Sequence, residues 1–140
     1  MTAKEYLNRG WMIERRIRMA EDRLGRLSMR AAALKSHAPK KKRGGKRVQE
    51  WTEAVDAMCD AERALFAEIA ALYQTQAEVR AAIDTVEDVR LRTLLEYRYL
   101  CYMTWPRVAD MMGYELRSVT RLHGKALRAV RLPADGARCP

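Results

Sequence analysis

Arg117, Arg121, Lys125 and Arg128 recur at steps of four, four and three residues, with Ser118 and Thr120 beside them. On a helix this spacing draws one basic stripe. The chemistry such a stripe offers is specific. A guanidinium donates two parallel hydrogen bonds to guanine, hydroxyls of Ser and Thr bond several base edges, and cations further along neutralise phosphates. The plain alternative is an ordinary solvated helix face, and the charges alone favour it. Thr104 and Arg107 just upstream, and the cluster Lys40, Lys41, Lys42 and Arg43, are further candidates for phosphate contact. Other chemistry finds no support. Cys59, Cys101 and Cys139 are too dispersed for a metal-ligand or disulfide pattern. His37 and His123 are single, and His123 is expected at the surface. No Gly-rich phosphate loop, nucleophile–His arrangement or paired His is present, so neither an enzyme nor a metal or cofactor site is expected.

The stripe needs a scaffold, and the preceding residues supply one. Thr104-Trp105-Pro106 opens a short helix, with Thr104 as N-cap and Pro106 in the first turn, where its missing N–H is harmless. Gly113 ends that helix with a turn. Tyr114 and Glu115 lead into a last helix from about Leu116 to Arg131, stopped by Pro133 and Gly136. Ala109 is small enough for a close crossing, and Val108, Met112, Val119, Leu122 and Ala126 can share a core. Short helix, Gly turn and long helix are the spacing of a helix-turn-helix. Before it, Asp84 or Thr85 is the expected cap of a helix running to about Tyr102. The core face of that helix is Leu91, Leu94, Leu95, the stem of Arg98, and Tyr102.

The run from Met103 to Arg128 resembles the fourth conserved region (region 4) of bacterial sigma factors, whose last long helix recognises a promoter element. The whole chain is similar to the phage and prophage late transcription regulators of the ArpU/RinA type. The similarity lies in Thr-Ala-Lys-Glu-Tyr-Leu (2–7), the long helical hairpin, Leu-Leu-Glu-Tyr-Arg-Tyr-Leu (94–100) and Arg-Leu-His-Gly-Lys-Ala-Leu (121–127). The resemblance implies base-facing roles for Leu116, Arg117, Ser118, Thr120 and Arg121. Leu116 stands where sigma factors often carry a polar or basic residue, and Thr120 replaces a common Arg. Gly124 falls mid-helix, where close packing and close approach to DNA are both open readings.

The front of the chain reads as two long helices. Thr2 and Glu5 form a capping box. A heptad-like stripe then runs Tyr6, Gly10, Ile13, Ile17, Ala20, Leu24, Leu27, Ala31, Leu34, with Gly10 a weak point. The segment from Lys35 to Arg47 carries +7 with no acid, and Pro39, Gly44 and Gly45 break any helix there. A second stripe follows: Val48, Trp51, Val55, Met58, Glu62, Leu65, Ile69, Leu72, Gln76, Val79, Ile83. The first helix is net basic and the second net acidic, so an antiparallel pair with complementary flanks is expected. Trp11 and Trp51 are expected near the ends of the pair, and Trp105 over the helix-turn-helix core.

The expected fold is therefore all-α: a long antiparallel two-helix hairpin over 1–84 with a basic loop at 35–47, a sigma region 4-like helix-turn-helix over 85–132, and a flexible tail over 133–140. The net charge of +9 over 140 residues favours a polyanionic partner. No apolar run reaches the length of a membrane span, and no leader segment is read at the front, so a cytoplasmic protein is expected. The expected function is a sequence-specific transcription regulator on double-stranded DNA. RNA polymerase, or a second copy joined through the hairpin, is the expected protein partner. The alternatives are a DNA-packaging recognition subunit of the small-terminase kind and a helical protein-interaction module.

Overall fold

The computed structural model describes residues 1–39 and 45–133. The chain is all-α, with no strand among the described residues. Lys40 to Gly44 of the basic loop and residues 134–140 of the tail, with Cys139, lie outside the described residues. The helices are α1 (Ala3–Asn8), α2 (Ile13–Ser36), α3 (Lys46–Asp84), α4 (Val89–Leu95), α5 (Trp105–Met112) and α6 (Leu116–Ala129), with a π-helical turn at Glu96–Leu100 between α4 and α5.

Two compact units emerge: Met1–Ile13 together with the residues from Gln74 onward, and Glu14–Tyr73. A boundary at 84/85 does not hold. Leu7 of α1 and Val79, Ala82 and Ile83 of α3 are buried in the same core as Leu94, Val108, Val119 and Leu122. Burying a Leu, Val or Ile side chain stabilises by about 1.5–3 kcal/mol, so the opening residues, through Leu7, are structural members of the helix–turn–helix unit.

The unbroken first helix is also corrected. The capping box forms as expected, with Thr2 and Glu5 bonding each other's backbone N–H. The helix then stops at Asn8, a turn occupies Arg9–Met12, and Met12 takes a positive φ of 54°. Gly10 lies at the centre of this turn, buried against Val79: a Cβ there would sit 3.1 Å from Val79 Cγ2. The close approach to Val79 of α3 accounts for glycine in this turn. The seam spacing runs on through Gly10 as though the helix were continuous.

In the Glu14–Tyr73 unit, α2 and α3 run antiparallel. Tyr73 Oη donates to Glu21 at 2.6 Å, Ser28 Oγ to Glu62 at 3.1 Å, and Trp51 Nε1 to the Leu34 carbonyl at 2.8 Å. Ile17, Ala20, Ala31, Leu65 and Leu72 are its buried contacts. Glu62, which interrupts the apolar seam, thus meets a polar partner and pins the register. The ion pair Arg63–Asp60 lies within α3 rather than across the hairpin.

Two further differences sit downstream. Asp88, not Asp84 or Thr85, caps α4, its Oδ1 accepting from the N–H groups of Arg90 and Leu91. Thr85 closes the end of α3 instead: its hydroxyl donates to the Ala82 carbonyl at 2.6 Å and accepts from the Arg131 N–H at 2.9 Å. The helix expected to reach Tyr102 widens into the π-helical turn, closed by Cys101 N–H on the Glu96 carbonyl at 2.9 Å. The extra residue rotates the register, so Tyr99 is buried where Arg98 was expected. Leu91, Leu94 and Leu95 are buried as expected.

Candidate nucleic-acid interface

The basic stripe is carried by α6, which begins at Leu116 and ends at Ala129, two residues short of the expected Arg131. Its inner face buries Val119, Leu122 and Ala126. Arg117, Arg121, Lys125 and Arg128 are all exposed, and none is ion-paired among the described residues. Apolar anchoring on one side and unpaired cations on the other are what hold the stripe outward.

The turn that aims α6 is closed by backbone chemistry. Gly113 adopts φ 71°, ψ 31°, the left-handed conformation that glycine reaches without cost. The Tyr114 N–H bonds the Ala109 carbonyl at 3.0 Å, and the Gly113 N–H bonds the Asp110 carbonyl at 3.3 Å. This is the Schellman pattern, and it satisfies the carbonyls that α5 leaves open. Val108 and Ala109 of α5 are buried beneath α6 as expected, and Met112 packs at their edge.

The candidate residues divide by what they can do. Thr120 is exposed, but its hydroxyl donates to the Leu116 carbonyl at 3.0 Å. That bond commits the hydroxyl proton within α6 and leaves the oxygen's lone pairs and the γ-methyl for outside contacts. Ser118 is half-buried at the flank of the stripe. Thr104 takes the cap conformation at the start of α5 without using its side chain, and it is exposed beside exposed Arg107. Their placement at one helix start suits a phosphate. Lys40, Lys41, Lys42 and Arg43 lie outside the described residues.

His123 is corrected most. It is half-buried rather than standing free at the surface. Its ring lies 4.4 Å from the Trp105 ring, and its Nε2 is 2.8 Å from the Tyr99 hydroxyl. Burial, with the charges of Lys4 and Arg98 acting in the same direction, pushes the imidazole down to about 4. Burial also pushes the Tyr99 phenol up, against the opposing charge of Arg98. His123 therefore serves as a neutral polar link beneath the stripe. Residue spacing carried no signal for this pairing, because Tyr99 reaches the site only through the π-helical turn.

No family model, curated protein or solved structure matches this chain.

Behind Trp105, the Arg98 guanidinium lies 4.6 Å from the Trp105 ring and 5.2 Å from the Trp11 ring, and it donates to the Met103 carbonyl at 2.8 Å. Trp11 meets Tyr102 edge-on at 5.7 Å. These contacts brace the segment that leads into α5. Gly124, half-buried on α6, has no positive φ, and a Cβ there would meet only Arg128 Nη1 at 3.6 Å. Packing within the fold therefore does not require glycine at this position. Among the described residues no group of His, Cys, Asp and Glu could hold a metal ion, and no helix is long and apolar enough to cross a membrane.

Proposed function

We propose that the protein is a sequence-specific transcription regulator that inserts α6 into the major groove of double-stranded DNA. The observation that carries this reading is the outward row of Arg117, Arg121, Lys125 and Arg128, unpaired and exposed on a helix whose opposite face is locked in the core. A helix of 14 residues is roughly 21 Å long, and the major groove admits one. In this reading Arg117 and Arg121 reach guanine edges. Lys125 and Arg128 meet phosphates, as do Arg107 and the unused hydroxyl of Thr104. Gly124, which the fold does not require, lets the helix backbone approach the duplex. The hairpin unit, with Phe66 and Tyr73 exposed seven residues apart on α3, is assigned to a protein partner, RNA polymerase or a second copy of the chain. The regulator acts in the cytoplasm, and a phage or prophage origin is what the sequence resemblance implies.

The test is selection of bound duplexes from a random pool at near-physiological salt. One recovered motif is expected, and Arg117→Ala with Arg121→Ala should abolish the preference. Lys125→Ala with Arg128→Ala should instead weaken all duplexes alike and reduce the slope of log K against log salt by roughly 2. Binding to any duplex without a motif would reduce the stripe to a non-specific anchor, and no binding at all would sink the proposal.

A further inference from the structure

Leu116 is the first residue of α6 and is 49% exposed, although its two successors on the inner face are fully sequestered. An apolar side chain gains nothing by standing in water at the head of a basic stripe. Around it the chemistry is equally unsuited to phosphate. Glu115, the N-cap, is exposed and makes no side-chain cap bond, so a carboxylate faces outward there. Thr120, one turn on from Leu116, is exposed and has its hydroxyl proton committed to the Leu116 carbonyl, so its γ-methyl is the group left for an apolar contact. The exposed side chains from Glu115 to Thr120 thus supply one carboxylate, one guanidinium and two apolar groups. Further cations follow only from Arg121 onward.

Base edges in the major groove match this set, and phosphodiester oxygens do not. Arg117 and Arg121 suit guanine, Glu115 suits the amino group of cytosine, and apolar side chains suit the C5-methyl group of a pyrimidine. We infer that Leu116, with the Thr120 methyl, reads a pyrimidine C5-methyl group, so that the preferred duplex carries a thymine beside the guanine met by Arg117 or Arg121. This rests on the DNA-binding reading above and assigns the part of the site that discriminates by shape rather than by charge.

The test uses the full chain and the duplex recovered by selection. Each thymine is replaced in turn by deoxyuridine, which removes the methyl group and leaves every hydrogen-bonding atom in place. One or two positions should lose about 3- to 10-fold in affinity, the scale of one buried methyl group. Leu116→Ala, at a position 49% exposed and outside the buried core, should bind thymine and uracil duplexes alike at those positions. A parallel arm replaces each cytosine by 5-methylcytosine. A gain that depends on Leu116 would assign the methyl reader to modified cytosine as well. A flat uracil scan, or discrimination that survives in Leu116→Ala, overturns the inference while DNA binding itself stands. A flat scan with Leu116→Ala impaired only in binding a protein would place the leucine in a protein interface and also overturn it. Absence of any bound duplex fails the DNA-binding reading instead.

Discussion

His123 Nε2 and the Tyr99 hydroxyl lie 2.8 Å apart, so α6 and the π-helical turn are tied by one sheltered hydrogen bond. Burial holds the imidazole at about 4 in the folded chain, against the ordinary 6.5 of a histidine in water. The unfolded chain therefore binds the extra proton first as pH falls. Its stabilising contribution is complete above about pH 6.5 and is lost as pH drops toward 4. After allowance for solvent screening of a half-exposed ring, the loss between pH 7 and pH 5 is on the order of 1 kcal/mol. Urea titrations of the wild type and His123→Phe at both pH values check this. The wild type should weaken more than the variant, and parallel losses would refute the assignment.

Gly10→Ala should destabilise, although alanine normally favours helix over glycine. The new Cβ would stand 3.1 Å from Val79 Cγ2 in a buried turn. Overpacking of this kind costs about 1–3 kcal/mol. Combining it with Val79→Ala should recover part of the loss, because the second change vacates the contested space. Strictly additive losses in denaturant titrations would show that the two sites do not meet.

Gly124→Ala should act in the opposite direction on stability. The backbone there is ordinary helix and the Cβ meets only the tip of Arg128 at 3.6 Å. The expected gain is about 0.5–1 kcal/mol. If α6 approaches a duplex as proposed, affinity for DNA falls in the same variant. A more stable protein that binds more weakly is an unusual pairing, readable from one melting curve and one binding isotherm. Gain in both would remove Gly124 from the interface.

Much of this was legible from residue spacing. Every member of the second stripe, from Val48 through Glu62 to Ile83, is buried or half-buried along α3. The Gly113 turn and the inner face Val119, Leu122 and Ala126 lie where the pattern puts them. What was not legible depends on contacts distant in sequence. Tyr6, Gly10 and Ile13 keep seam spacing across a break at Arg9–Met12, where Gly10 packs against Val79 of α3. The burial of Tyr99 in place of Arg98 follows from one inserted residue in a π-helical turn, to which a 3.6-residue period is blind. Asp88 prevailed over Asp84 and Thr85 as cap because Thr85 is occupied by the Ala82 carbonyl and the Arg131 N–H. His123 sits on α6 between stripe and core, where the helical pattern alone does not separate a solvent-facing ring from one stacked on Trp105.

The helix–turn–helix unit is discontinuous along the chain, and this orders events at the ribosome. The Glu14–Tyr73 unit is contiguous, so its antiparallel helices can pair as soon as Tyr73 has emerged. Leu7 must wait about 50 residues longer than that for Leu122 and Ala126, which lie more than a hundred residues from it along the chain, and contacts of that separation slow closure of a core. During that interval the earliest residues synthesised are the last to be sheltered, held available by a structure already complete between them and their partners. A nascent chain halted before α6 would present Leu7 and Tyr6 to chaperones and proteases, and release of α6 would end that exposure.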